Sequence, residues 1–115
     1  MLAKVIEGRK IGRELGFPTA NLELFNPNEI PGNGVYAVDV CLGNETFLGV
    51  LNVGIRPTFG ASEKTVEVHI LDFAREIYGE ILEITIKKFI REEKTFEDLK
   101  DLKKQIQQDL YSAKI

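Results

Sequence analysis

The hydrophobic period of the chain changes once, near its end, and that change constrains the fold more than any other feature. From Thr65 to Leu71 the residues alternate, with Val66, Val68 and Ile70 facing one way and Thr65, Glu67, His69 and Leu71 the other. Ile81–Ile90 alternates again, with Leu82, Ile84 and Ile86 on one face. Beyond Lys94 the spacing becomes helical: Phe96, Leu99, Leu102, Ile106, Leu110 and Ala113 recur with charges between them. Thr95 is the expected N-cap, and Asp98 falls in the first turn, where a carboxylate suits the helix dipole. The helix is predicted over about 96–113.

Ahead of that switch, the chain reads as extended segments and turns. Leu2–Glu7 is a first strand, and Gly8–Gly16, with glycines at 8, 12 and 16, is a loop. Phe17–Leu24 is extended, with Pro18 tolerated at a strand start. Phe25–Gly34 carries Pro27, Pro31 and Gly32 and reads as a long surface loop. Val35–Leu42 and Thr46–Val53 flank Gly43-Asn44-Glu45, which is hairpin chemistry. Gly54–Lys64, with Pro57, Gly60 and Ser62, is predicted as another loop, and Asp72–Gly79 as a short helical turn or loop. About six short antiparallel strands and one helix in 115 residues suggest a single domain built as a closed or nearly closed barrel. The helix would lay its apolar stripe on the barrel's outside or across an open end.

Composition narrows the partners. With 43% hydrophobic and 29% charged residues and a net charge of -3, the chain is an ordinary globular protein without the basic surplus that nucleic-acid backbones require. A nucleotide stays open as a ligand, because a few local donors and a metal can carry its charge. The one cysteine, Cys41, cannot form an internal disulfide and is expected to be a small buried hydrophobe. No leader pattern and no membrane-length apolar run is visible, so the expectations are a cytoplasmic location and no membrane partner.

Three segments could carry chemistry. The densest is Gly8-Arg9-Lys10-Ile11-Gly12-Arg13-Glu14-Leu15-Gly16-Phe17-Pro18-Thr19-Ala20-Asn21. It is neither a Walker loop nor a dinucleotide fingerprint. Its glycines would still let backbone N–H groups approach phosphates, beside the positive charge of Arg9, Lys10 and Arg13. Thr19 and Asn21, two apart in extended chain, share a face and offer hard neutral oxygens of the kind that suit Mg²⁺. The same four residues, Pro18–Asn21, also read as a plain strand start. The second is Glu67, an acidic residue inside a β-branched strand, which is either a solvated position or a site carboxylate. His69 lacks a second histidine or a cysteine cluster, so a hydrogen-bonded structural role is expected. The third is Phe89–Phe96, a charged link that is either a solvated helix start or a flap whose Phe96 covers a flat ligand. Asn52–Thr58 reads as a turn or a pocket wall.

Together these segments resemble the riboflavin kinase family, from Gly8 through the helix. The resemblance is carried by Gly-x3-Gly-Arg-x-Leu-Gly-Phe-Pro-Thr-Ala-Asn, then Gly34-Val35-Tyr36 and Asn52-Val53-Gly54-x-Arg56-Pro57-Thr58. Val66-Glu67-Val68-His69-Ile70, Tyr78-Gly79 and Ile90-Arg91-x-Glu93-x-x-Phe96 follow in family order. It implies a six-stranded antiparallel Greek-key β-barrel with a C-terminal amphipathic helix, and the activity of an ATP:riboflavin 5′-phosphotransferase yielding FMN and ADP. It further implies Mg²⁺ on Thr19 and Asn21, and Glu67 as general base on the ribityl 5′-hydroxyl. ATP positions would fall at Gly8, Gly12, Arg13, Gly16, Ile70, Asp72 and Tyr78, and flavin positions at Arg91, Lys94 and Phe96. In many bacteria such a kinase follows an FAD synthetase domain. With no His-x-Gly-His motif here, FAD synthesis is not expected of this chain. Two other classes are weighed: a non-catalytic flavin-binding regulatory barrel, which would not need Thr19, Asn21 and Glu67 together, and an oligonucleotide-binding barrel, which the acidic charge disfavours.

Overall fold

The structure is a computed structural model. It describes the backbone of residues 1–9 and 17–115, and the side chains of these except at 7–9, 57 and 58. Six strands form one closed antiparallel barrel: β1 (Leu2–Arg9), β2 (Thr19–Leu24), β3 (Gly34–Leu42), β4 (Glu45–Thr58), β5 (Ala61–Ile70) and β6 (Ile81–Arg91). Their order around the wall is β1-β2-β5-β4-β3-β6. Strands β3, β4 and β5 form a meander and β6 returns beside β3, which is a Greek key. One helix, α1 (Leu99–Lys114), follows.

The alternation seen in the sequence sorts the side chains between two sides of the wall. Val38 and Val40 of β3, Leu51 and Val53 of β4, Val66, Val68 and Ile70 of β5, and Leu82 and Ile84 of β6 fill the interior. Ala3, Val5, Leu22 and Leu24 complete it from β1 and β2. Val35 and Ala37 are just as buried but have the opposite parity in β3, so they lie on the outer wall. There α1 rests, against β3, β4 and β6. Its stripe includes Leu102, Ile106 and Leu110, with Ala113 buried near its end.

Several elements differ from expectation. Gly54–Lys64 is not a loop. β4 and β5 continue as a ladder through Gly54↔Thr65, Arg56↔Glu63 and Thr58↔Ala61. The turn needs only Phe59 and Gly60, and Gly60 takes a φ of 76° that favours glycine. This arm is exposed from Ile55 through Lys64 wherever its side chains are described, so neither face imposes an apolar alternation that sequence could reveal. The helix starts at Leu99, not near 96: Asp98 is the N-cap, its Oδ1 accepting from the Asp101 N–H at 2.9 Å. Cys41 is half-buried rather than buried, since it has the outward parity of Asp39 and lies 3.4 Å from Thr46 Oγ1. Ile86 is exposed, where β6 bulges against β3. The 25–33 loop is held by a 3-10 turn at Pro27–Glu29 and by bonds from Tyr36 Oη to Gly32 O (2.6 Å) and from Lys64 Nζ to Pro31 O (3.2 Å).

Candidate active site

Strand pairing places the candidate residues on the outer wall. Antiparallel partners face the same side, so register alone builds a row across five strands. Asn21 of β2 pairs with Glu67 of β5, Glu67 with Asn52 of β4, Asn52 with Val35 of β3, and Val35 with Arg91 of β6. Glu67 therefore stands between two carboxamide residues, and it is 92% removed from water, with a relative exposure of 8%.

Two cavities meet at Thr19. The first, of about 260 Å³, lies between the barrel and α1. Thr19, Glu67, Asn52 and His69 contribute from the strands, Arg91, Lys94 and Phe96 from the end of β6 and the link, and the apolar stripe of α1 closes it. The second, of about 770 Å³, runs along Ile70 and the 73–78 segment to Tyr78. Thr19 lines both. Its Oγ1 is buried without a hydrogen-bond partner among the described residues, a condition that ordinarily costs about 1–3 kcal/mol and so points to a missing partner. His69 fixes the backbone just before it. Its Nδ1 is 2.7 Å from Pro18 O, and because a carbonyl only accepts, Nδ1 carries the hydrogen. Phe17 meets the same imidazole edge-on at 5.9 Å between centroids.

Arg91, Lys94 and Phe96, the residues expected at the flavin, are tied together more than sequence suggested. Arg91 Nε donates to Asp109 Oδ1 and its Nη2 to Asp109 Oδ2, both at 2.8 Å, while Nη1 donates to Glu92 O at 2.9 Å. This fork joins β6 to α1 with little water around it; the side chains are 19% and 6% exposed. Gln105 Nε2 donates to Asp109 Oδ1 at 3.0 Å, and Gln105 Oε1 accepts from Lys94 Nζ at 3.3 Å. Both cations lie near the Phe96 ring, at 5.9 Å for Arg91 and 5.5 Å for Lys94.

Not every candidate converges. Asn21 has the outward parity of Thr19 yet lines a different groove, with Arg56, Glu63 and Lys64. Ile70 and Tyr78 line the second cavity, whereas Asp72 does not and instead takes a left-handed φ of 53°. Gly8 is paired opposite Ala20 at the end of β1. Gly12, Arg13 and Gly16 lie outside the described residues. Sequence reasoning missed Asp109, whose one signal was an acid three residues after Ile106 on the helix's apolar face. It also missed Arg75, which lines the second cavity over the rings of Phe73 (4.9 Å) and Phe47 (5.5 Å) and pairs with Glu45 at 3.1 Å. Among the described residues no cluster of three His, Cys, Asp or Glu side chains could hold a metal, and no helix is long and apolar enough to cross a membrane.

Comparison with known proteins agrees with this architecture. An RNA-binding riboflavin kinase of Bacillus subtilis is 46% identical over 109 residues, covering 92% of this chain and 46% of its own. The bifunctional riboflavin kinase/FMN adenylyltransferases of Haemophilus influenzae and Escherichia coli are 44% and 42% identical, and the chain covers 37% and 36% of them. The chain thus spans less than half the length of these relatives. Among solved structures, a Streptococcus pneumoniae protein described as a macrolide-efflux protein superposes with a TM-score of 0.91 at 34% identity over 98% of this chain and 37% of that one. Riboflavin kinase from Trypanosoma brucei shares the fold, with a TM-score of 0.65 at 24% identity over 98% of this chain and 75% of that one. The family model described as Flavokinase, riboflavin kinase, matches residues 1–115. The chain belongs to the riboflavin kinase family.

Proposed function

We propose that this chain transfers the γ-phosphoryl group of ATP to the ribityl 5′-hydroxyl of riboflavin, giving FMN and ADP. The observation that carries the proposal is Thr19, which lines both cavities and whose buried hydroxyl oxygen has no hydrogen-bond partner among the described residues. The first cavity suits a flat ring ending in a hydroxylated chain. Val35, Val50, Phe96, Leu102, Ile106 and Leu110 give apolar surface, and Glu67 gives an acceptor at the strand side. The second is the candidate for the nucleotide, beside Ile70 and Tyr78.

Mg²⁺ fits the donor chemistry of Thr19, whose oxygen has no partner among the described residues; Asn21, two residues on along the same strand, offers a second neutral oxygen from the neighbouring groove. When bound there, it would neutralise phosphate charge. The protein's own part is positioning. Phosphoryl transfer requires the attacking and leaving oxygens in line, with little covalent work for the enzyme. As the 5′-oxygen bonds to the γ-phosphorus, the bond to the bridging oxygen breaks and ADP leaves. Glu67 takes the hydroxyl proton during that step, an assistance of roughly 10²–10⁴-fold. Arg91, Lys94 and Phe96 hold the roof over the ring.

Incubation with riboflavin, ATP and Mg²⁺, followed by chromatographic separation of the flavins, tests this. FMN stoichiometric with ADP is expected. No FMN at any Mg²⁺ concentration would remove the proposal.

A further inference from the structure

Gly54 is a glycine for which the backbone gives no reason. Its φ is outside the left-handed range, unlike Gly43, Gly60 and Gly79, and it lies within a continuous ladder opposite Thr65. The reason is what sits on it. A Cβ added at Gly54 would stand 2.7 Å from Glu93 Cδ and 2.9 Å from Glu93 Oε2, and closer still to Oε1. The Glu93 carboxylate therefore occupies the space that any other residue would fill.

This contact differs from the other fastenings around residues 92–98. Arg91 holds the Glu92 carbonyl and Asp109, Lys94 holds Gln105, and both cations face Phe96, so these contacts tie the link to itself, to the end of β6 and to α1. Glu93 reaches the other way, onto the barrel wall. Gly54 is two residues from Asn52 on β4, so it shares the outer face, and Glu93 lines the same cavity as Asn52 and Glu67. We propose that Gly54 is a seat for the Glu93 carboxylate and that this contact holds the link down over the first cavity. Glu93 is then a positioning residue for the ligand in that cavity. The assignment of that ligand as riboflavin rests on the function proposed above; the seat itself does not.

The clash at Gly54 would be with the end of a flexible side chain and not with backbone, so an added methyl displaces Glu93 without disrupting the strand. That makes a double-mutant cycle the appropriate experiment. Gly54→Ala, Glu93→Ala and their combination are compared with the parent in riboflavin dissociation constant, KM for ATP, and rate of tryptic cleavage at Lys94–Thr95 without ligand. Each single substitution is expected to weaken riboflavin about tenfold with KM for ATP unchanged, and the pair to weaken it by about the same tenfold, not a hundredfold. Gly54→Ala should speed cleavage several-fold in the parent but not in the Glu93→Ala background, where the sequence at the cut site is the same. If Gly54→Ala fails to fold, restoration of folding by Glu93→Ala supports the seat. Parental binding and cleavage in Gly54→Ala, or an equal effect with Glu93 absent, overturns it. Absence of riboflavin binding in the parent overturns the proposed function, while the cleavage arm still decides the seat.

Discussion

Replacing Asp109 by alanine leaves the Arg91 guanidinium partly buried without its carboxylate, and the size of that defect can be worked out. Breaking one partner of a buried, hydrogen-bonded pair costs about 3–5 kcal/mol. Arg91 keeps 19% exposure, so water can reach part of it and the low end applies, about 3 kcal/mol. For 115 residues the unfolding entropy near the midpoint is about 0.24 kcal/mol per kelvin, so Tm should fall by about 12 °C. That is a large part of the ~5–15 kcal/mol that holds a domain of this kind together. Thermal unfolding followed by far-ultraviolet circular dichroism reads it directly. The companion variant carries Arg91→Met and Asp109→Leu together. With both charges gone, no ion is stranded, and stability should return to within about 1 kcal/mol of the parent. Riboflavin affinity should not return, since the guanidinium no longer faces the cavity. A loss of less than about 3 °C in Asp109→Ala, or a double variant no more stable than the single, would show that the fork does not hold α1 to the barrel.

Three further outcomes are expected. Glu67→Gln should lower turnover by roughly 10²–10⁴-fold with riboflavin affinity nearly kept, and full activity would remove Glu67 as the base. Thr19→Val should be at least as thermostable as the parent without metal, because it removes a buried unpartnered hydroxyl, and should lose Mg²⁺-nucleotide stabilisation in a thermal-shift assay; an unchanged shift would take the metal away from Thr19. Asp98→Ala should cost about 1 kcal/mol in urea unfolding while Thr95→Ala costs little, and the reverse ranking would contradict the helix start seen here.

Much of this fold was legible because most strands bury one face. Val66-Glu67-Val68-His69-Ile70 announces both its core side and its site side in five residues. The same logic hid the β4–β5 arm, which is wet on both faces and carries Pro57, so its ladder looked like a loop. The helix start was misplaced because Phe96 fits the apolar stripe in spacing, yet it serves the cavity, leaving Asp98 to cap. The Thr19–Glu67 neighbourhood could be assembled from family motifs. The row from Asn21 to Arg91 could not, since it depends on strand order and on a bulge between Val35 and Tyr36. Asp109 was invisible for a related reason: an acid on an apolar stripe gains meaning only when its partner, eighteen positions earlier, is seen beneath it.

Closure of the barrel has a kinetic side. The wall is completed by β1 pairing with β6, so that Leu2 meets Glu83 and Lys4 meets Ile81. Such distant pairings carry the full loop-closure entropy before they are rewarded, which places folding in the slower range, on the order of milliseconds to seconds. Until β1 closes, β2 and β6 are open edges able to recruit strands from other chains. Crowded synthesis or refolding at high concentration should therefore divert this protein into aggregates at that step. Closure of the wall removes the β2 and β6 edges from that route, leaving only the short β4–β5 arm with open edges among the described residues.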